Sequence, residues 1–374
     1  MNQTHIYKHI KSYLSLTLVL VLCTTGTIFA KQVTPKKWFH ESSEFTPDSR
    51  VNYGALANGM RFAWMANPEP KDRCYARLHV AVGSLNEEEH EQGLAHYLEH
   101  LVFHGGKNFP NNTLISRFQE NGMAFGEDLN AYTSFDETVY QVNLPSCTKD
   151  TLKMALDFFQ DTASGLTFND DDVNRERPII DAEDSTGDTP DSRIRMKKYD
   201  HLLDGTRYPK RAHVIGTKSI RDKFTAKTAR HFYKKWYRPE NMTLVLVGDL
   251  QDENPEKQIA DAFSSFKGLS ENPAVTPAMG TPTLDRLLYV IAQKTTSNVA
   301  VGLNFINKDR KKSFTIKSAR KNINLSLALQ MLNRRLTRAL QTNDVPFVNV
   351  GAYQFYFMDE RLGGISMSAQ PLLH

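Results

Sequence analysis

Between Gly93 and Gly106 the chain reads GLAHYLEHLVFHGG, and three of its side chains, His96, Glu99 and His100, could do chemistry together. On a helix, positions i and i+4 share a face, so His96 and His100 would present two imidazoles to one point. Zn2+ takes such imidazole nitrogens together with a carboxylate, and a catalytic site keeps a fourth position open for water. The ion brings the pKa of that water toward neutrality. Glu99, at i+3 from His96, would stand beside the ion without having to ligate it. There its carboxylate can take a proton from water as the water attacks a carbonyl. The bland alternative is a polar helix that happens to be rich in histidine. His104, four residues beyond His100, could reach the metal face, but a helix cap or a solvent-facing side chain is the preferred reading at the end of the stretch.

A three-ligand site needs one more donor from elsewhere. The segment NRERPIIDAED offers Glu176 and Glu183, seven positions apart, which is two helical turns and therefore one face. One could complete the coordination while the other stands behind a ligand and orients it. Pro178 lies between them and could kink their helix.

These residues need elements to hold them. VNYGALANGMRFAWMAN (Val51–Asn67) reads as short strands around a turn at Asn58–Gly59, and RCYARLHVAVGS (Arg73–Ser84) alternates as a strand. The histidine stretch is then a helix. NNTLISRFQENG (Asn111–Gly122) is a second helix with a glycine stop. LNAYTSFDETVYQVNLP (Leu129–Pro145) reads as strand, turn at Phe135–Asp136, strand. A helix capped by Thr148 follows, then the glutamate-bearing helix, an amphipathic helix over Thr225–Tyr237 and a buried strand in Asn241–Leu250. Strands and helices mix without regular βαβ alternation, so the class is α+β, with antiparallel strands and helices on a face.

Gly268–Asp285 has the proline, glycine, serine and threonine density of a linker. Beyond it, RLLYVIAQ and NVAVGLNFI read as strands, followed by a long helix. The stripe Leu325, Leu329, Leu332, Leu336 and Leu340 in that helix reads as core packing. The division expected is 1–30 signal peptide, 31–267 catalytic domain, 268–285 linker and 286–374 second domain.

The signal peptide is expected because Lys8 and Lys11 precede a short apolar run, Leu14–Leu22, with small residues up to Ala30. A buried N-terminal helix is the alternative. Removal of the signal would place the protein across the inner membrane with no stable membrane span. It would leave two cysteines, Cys74 and Cys147, either disulfide-bonded in an oxidising compartment or buried as free thiols. A net charge of +4 spread over 46 basic and 42 acidic residues gives no mandate for a nucleic-acid partner. The basic run Lys308–Lys321 lacks interleaved bases-stacking aromatics and reads as a solvated loop and helix start.

GSLNEEEHEQGLAHYLEHLVFHGGKNFP, FGEDLNAYTSFDETVYQVNLP, NRERPIIDAE and FYKKWYRPENMTLVLVGDL together resemble the pitrilysin/insulinase-like family of zinc metallopeptidases with the inverted HxxEH motif. The likeness is collinear from about Ser49 to Leu250 and is nearest to the large secreted zinc proteases of Gram-negative bacteria. It implies tandem homologous domains of the mitochondrial-processing-peptidase-like metallohydrolase fold, the second one truncated here. It implies one Zn2+ per chain on His96, His100 and Glu183, with Glu99 as the base and Glu176 supporting the site without binding metal. Asn130 and Ala131 match the edge-strand segment that pairs with a substrate backbone, and such pairing reads a peptide mainly through its main chain. The implied activity is that of a periplasmic metalloendopeptidase on peptides or unfolded segments. The alternative is a peptide-binding fragment that needs a further peptidase-like domain or a partner chain to close the chamber. His100 and Glu183 are 83 residues apart, slightly more than is usual in the family, which points to loop insertions. The resemblance also brings Cys74 and Cys147 near one another and favours their disulfide.

Overall fold

A computed structural model describes residues 36–250, 254–267, 277–284, 288–292, 299–307, 313–342, 345–357 and 362–372. The signal-peptide expectation and most of the linker expectation lie outside the described residues. No helix among the described residues is long and apolar enough to cross a membrane.

Six strands make the main sheet: β1 (Asn52–Ala55), β2 (Arg61–Ala66), β3 (Cys74–Val80), β4 (Leu129–Thr133), β5 (Thr138–Leu144) and β6 (Met242–Gly248). Their order is β1-β2-β6-β3-β5-β4. All neighbours are antiparallel except β2 and β6, which run parallel. The alternation in β3 sends Cys74, Ala76, Leu78 and Val80 inward while Tyr75, Arg77 and His79 face outward. One face of the sheet is thus apolar and must be covered.

The cover comes from α1 (Leu94–Leu101), α2 (Leu114–Glu120), α3 (Lys149–Gln160), α4 (Asp170–Gly187), α6 (Ala226–Trp236) and α7 (Pro255–Phe263), while α5 (Pro190–Leu202) buries Leu202 in a separate, smaller core. Thr148 caps α3 by accepting from the Thr151 N–H, and Thr225 does the same for α6 through Thr228. α3 contributes Leu152, Ala155, Leu156, Phe158 and Phe159 to one core with the sheet, and α6 contributes Phe232, Tyr233 and Trp236. α1 lies within that core through Leu94, Ala95, Tyr97, Leu98 and Leu101. Burying each such large apolar side chain contributes about 1.5–3 kcal/mol, so the helix that carries the histidines is fixed from below.

A second sheet holds β7 (Val301–Asn307), β8 (Phe347–Phe357) and β9 (Leu362–Pro371), in the antiparallel order β7-β9-β8. α8 (Ile316–Thr342) lies against β8, where the Asn333 side chain bonds both the N–H and the C=O of Ala352. A small core of Leu85, Leu202, Leu203, Tyr208, Ala212 and Leu362 joins this part to the first.

Two sequence expectations fail here. Leu288–Ala292, the described part of RLLYVIAQ, forms no strand, and Leu288 and Val290 stand 84% and 87% exposed. An apolar run becomes a strand only where a neighbouring strand takes its backbone hydrogen bonds, and none among the described residues pairs with it. The leucine stripe of α8 is not core either: its five leucines are only half-buried, and α8 has no buried residue. Among the described residues only β8 packs closely along this helix, so periodicity creates an apolar stripe that these residues do not enclose.

Candidate metal centre

α1 begins at Gly93 in the left-handed region, φ 92°. A Cβ there would stand 2.0 Å from the Ile215 carbonyl oxygen, so glycine is required. The first N–H groups of the helix are met by Glu87, whose carboxylate accepts from Gly93 (3.0 Å) and Ala95 (2.9 Å). Burial drives the Glu87 carboxyl up to about 8, against the pull of those two N–H groups and of Arg211.

His96 and Glu99 are each 7% exposed, held by a helix buried on its other side. Facing them is α4, capped at its start by Asn169, whose side chain accepts from the Asp172 N–H at 2.8 Å. The helix runs through Pro178 without interruption. The Tyr97 hydroxyl donates to the Val173 carbonyl and ties the two helices together. Farther along α4, the buried Arg221 guanidinium grips Asp181 (2.7 Å) and Asp184 (2.8 Å), on either side of Glu183.

The structure brings His96, His100 and Glu183 to one point. Their donor atoms lie within 4.8 Å of one another, and Glu183 Oε1 and Oε2 stand 3.5 Å from His96 Nε2 and His100 Nε2 respectively. Ligand bonds of about 2.0–2.2 Å in a tetrahedral zinc site put neighbouring donors ~3.4 Å apart. Each imidazole nitrogen stands near that spacing from a Glu183 oxygen, and two imidazoles with one carboxylate are a donor set that fits the ion. Hydrogen bonds to His100 and His96 hold the Glu183 carboxyl well below the usual carboxylate range.

Glu176 does not point at that centre. Its Oε2 lies 3.0 Å from His100 Nδ1, the nitrogen on the far side of the ring. Burial alone would raise its carboxyl, but the hydrogen bonds from His100 and His104 outweigh it and bring it to about 2. His100 shows the counterpart: burial lowers it, the bonds to Glu176 and Glu183 raise it, and it comes to about 9. The far side of the His96 ring differs: its buried Nδ1 has no hydrogen-bond partner among the described residues.

The Glu99 carboxylate is positioned by a group that sequence reasoning missed. Thr133, at the end of β4, donates its hydroxyl to Glu99 Oε2 at 2.7 Å, and Thr138 lies 3.4 Å behind it. Nothing near Glu99 in sequence signals Thr133, because sheet pairing alone brings the end of β4 to α1. Glu87 was also missed, although the acidic run NEEEHE just before the helix was its available signal. His104 is a correction: it neither caps the helix nor faces solvent. Its side chain is 12% exposed and turns inward, with Nε2 2.6 Å from Glu176 Oε1 and Nδ1 3.4 Å from Asp172 Oδ1. After His100 the helix tightens into the turn Val102–His104, which keeps the i+4 row facing α4.

Asn130 and Ala131 lie on β4, the edge strand of the main sheet, paired with Gln141 and Tyr140 of β5. The Ala131 N–H is taken by Asn130 Oδ1 at 2.8 Å. Cys74 and Cys147 form a disulfide, with their Cα atoms 5.3 Å apart.

Comparison with known proteins relates the chain to a peptidase family. Residues 63–198 match the model of the insulinase family (peptidase family M16), and residues 223–374 match that of the peptidase M16 inactive domain. The chain is 31% identical over 290 residues to the probable zinc protease PqqL of Haemophilus influenzae, covering 77% of this chain and 31% of that protein. It is 31% identical over 334 residues to the probable zinc protease PqqL of Escherichia coli, covering 88% of this chain and 35% of that protein. The crystal structure of the periplasmic protease PqqL from Escherichia coli superposes with a TM-score of 0.78 at 28% identity, over 87% of this chain and 36% of that one. The chain thus spans about a third of the length of the curated relatives it matches.

Proposed function

The chain belongs to peptidase family M16, the insulinase/pitrilysin family, and from that premise we propose that it is a zinc-dependent endopeptidase with Glu99 as its general base. The observation that carries the reading is the convergence of His96 Nε2, His100 Nε2 and the Glu183 carboxylate, with the Glu99 carboxylate on the same helix held by Thr133. His96, His100 and Glu183 would hold one Zn2+. Bound there, the ion supplies a Lewis acid that acidifies water and polarises a peptide carbonyl.

The protein's own groups do the rest. Glu99 removes a proton from the attacking water and returns it to the departing amide nitrogen. The Thr133 hydroxyl keeps one Glu99 oxygen occupied, so the other is aimed at the water. Glu176 accepts from His100 Nδ1 and so fixes that ring with Nε2 toward the ion. A substrate segment would add as a further strand along β4, at Asn130 and Ala131, with the Ala131 N–H exchanging its Asn130 partner for a substrate carbonyl. Because such pairing uses the main chain, the substrates are extended peptides or unfolded segments.

The proposal divides the chain as read from its sequence: catalytic residues 31–267, linker 268–285 and a partial second domain 286–374. It also places the protein in the periplasm, supported by the N-terminal sequence and by the periplasmic location of the PqqL protease it resembles. A second reading, a peptide-binding part of a longer clamshell protease, is favoured by the share of its relatives that the chain spans.

Purified protein should contain one zinc per chain and cleave a fluorogenic peptide library. Chelation should abolish cleavage and added zinc restore it. Glu99→Gln should keep the metal and lose at least about a hundredfold in rate. Cleavage by that variant at the wild-type rate refutes Glu99 as base, and peptide binding by the zinc-loaded wild type without turnover selects the second reading.

A further inference from the structure

Along α1 and its last turn, His96, His100 and His104 form a row at intervals of four. Across from it on α4, Asp172, Glu176 and Glu183 form a second row on one face. The rows meet as a ladder. Glu183 spans His96 and His100, Glu176 spans His100 and His104, and Asp172 lies 3.4 Å from His104 Nδ1. The proposed mechanism uses every member of this ladder except His104 and the Asp172 carboxylate that faces it.

We infer that His104 is a positioning residue for the metal centre: it holds Glu176 in the one orientation that fixes His100, and so sets the affinity for zinc. This rests on the zinc reading above. Glu176 is 7% exposed and has two carboxylate oxygens to satisfy. Oε1 is 2.6 Å from His104 Nε2 and Oε2 is 3.0 Å from His100 Nδ1. With both oxygens engaged, the carboxylate can neither rotate away nor swing toward the metal. Removing His104 leaves one buried oxygen without its donor, a costly state that a rotation of the side chain would relieve. That rotation would release the His100 ring from its second hydrogen bond. His104 is itself held, since Asp172 faces its other nitrogen and is in turn fixed by the Asn169 amide and by Arg175 at 3.4 Å. Partners that orient metal ligands from behind typically change metal affinity 10–100-fold when removed. Here the effect passes through one more group and should fall near the lower end.

The test is a chelator-competition measurement of zinc affinity on the full chain, alongside melting curves of the metal-free protein. Four single variants are compared with wild type: His104→Leu, His104→Asn, His104→Gln and Glu176→Ala. The Gln amide reaches nearly as far as His Nε2 and can donate to Glu176 Oε1; the shorter Asn amide cannot. The expected result is about tenfold weaker zinc binding in His104→Leu and His104→Asn, with His104→Gln within about threefold of wild type. In a Glu176→Ala background, His104→Leu should add no further loss, because its effect runs through that carboxylate. Should His104→Leu fail to fold, the contrast between Asn and Gln decides the matter. Equal affinities for wild type and His104→Asn, a Gln variant as weak as the Asn variant, or an undiminished His104 effect without Glu176 would each overturn the inference. Wild-type protein that takes up no zinc overturns the zinc reading, and this inference with it. Normal uptake with an indifferent His104 overturns the inference alone.

Discussion

Cys74 opens β3 and Cys147 follows β5, its neighbour in the sheet, so their bond closes a loop of 73 residues. Within that loop lie His96, Glu99, His100 and Thr133. In the folded protein β3 and β5 are already in register, with Cys74 opposite Leu144, so the cross-link adds little there. Its effect falls on the unfolded chain, whose loop-closure entropy it removes. The chain-entropy relation for a loop of this length gives a stabilisation of about 4 kcal/mol. Two perturbations separate the cross-link from packing. Reduction of the wild type opens the bond and leaves both sulfur atoms in place. The Cys74→Ala/Cys147→Ala variant also removes sulfur from two buried positions, 0% and 3% exposed. Urea titrations of the oxidised, reduced and variant proteins should show both perturbed forms losing about 4 kcal/mol, the variant slightly more. Zinc affinity measured well below the unfolding transition should be unchanged, because the strands still hold α1. A loss under about 1 kcal/mol in the reduced protein would refute the argument. A loss seen in the variant but not on reduction would assign the effect to packing.

Zinc must displace a proton from His100, which stands at about 9 in the metal-free fold. Apparent zinc affinity should therefore rise about tenfold per pH unit from pH 6.5 to 9 and then level off, and a flat profile in chelator competition would refute this. The same shift affects stability. His100 is raised from 6.5 to about 9 on folding, so its contribution is complete below pH 6.5 and lost as pH rises through 9. Urea titrations should show metal-free protein weakening across that window and zinc-loaded protein holding more of its stability. Gly93→Ala should be strongly destabilising, by roughly 2 kcal/mol or more, since the new methyl meets a backbone oxygen at 2.0 Å; an unchanged urea midpoint would contradict the α1 geometry. Arg221→Met should cost about 2–4 kcal/mol by removing the buried guanidinium that holds Asp181 and Asp184 together, although Lys218 and His213 still reach them. It should also weaken zinc binding through Glu183, and normal affinity in a destabilised variant would show that Glu183 does not depend on this grip.

The sequence by itself determined what is local. The i, i+4 spacing of His96 and His100 and the position of Glu99 follow from helical geometry within one and a half turns, and the apolar residues between them say which face is buried. The same holds for the cap at Thr148, the strand alternation of β3, and the seven-residue spacing that puts Glu176 and Glu183 on one side of a helix. Recognising the motif in its surroundings extended this to the family and its fold. Tertiary structure decided whatever depends on two distant segments meeting. It turned His104 inward because α4 offers two carboxylates there, and periodicity along α1 carries no information about α4. It brought Thr133 to Glu99 through the pairing of β4 with β5. It placed β2 parallel to β6 within an otherwise antiparallel sheet, and it left Leu288–Ala292 outside any strand. It also left the α8 stripe half-covered, because a helix can display an apolar face from its sequence alone but needs a second surface to bury it.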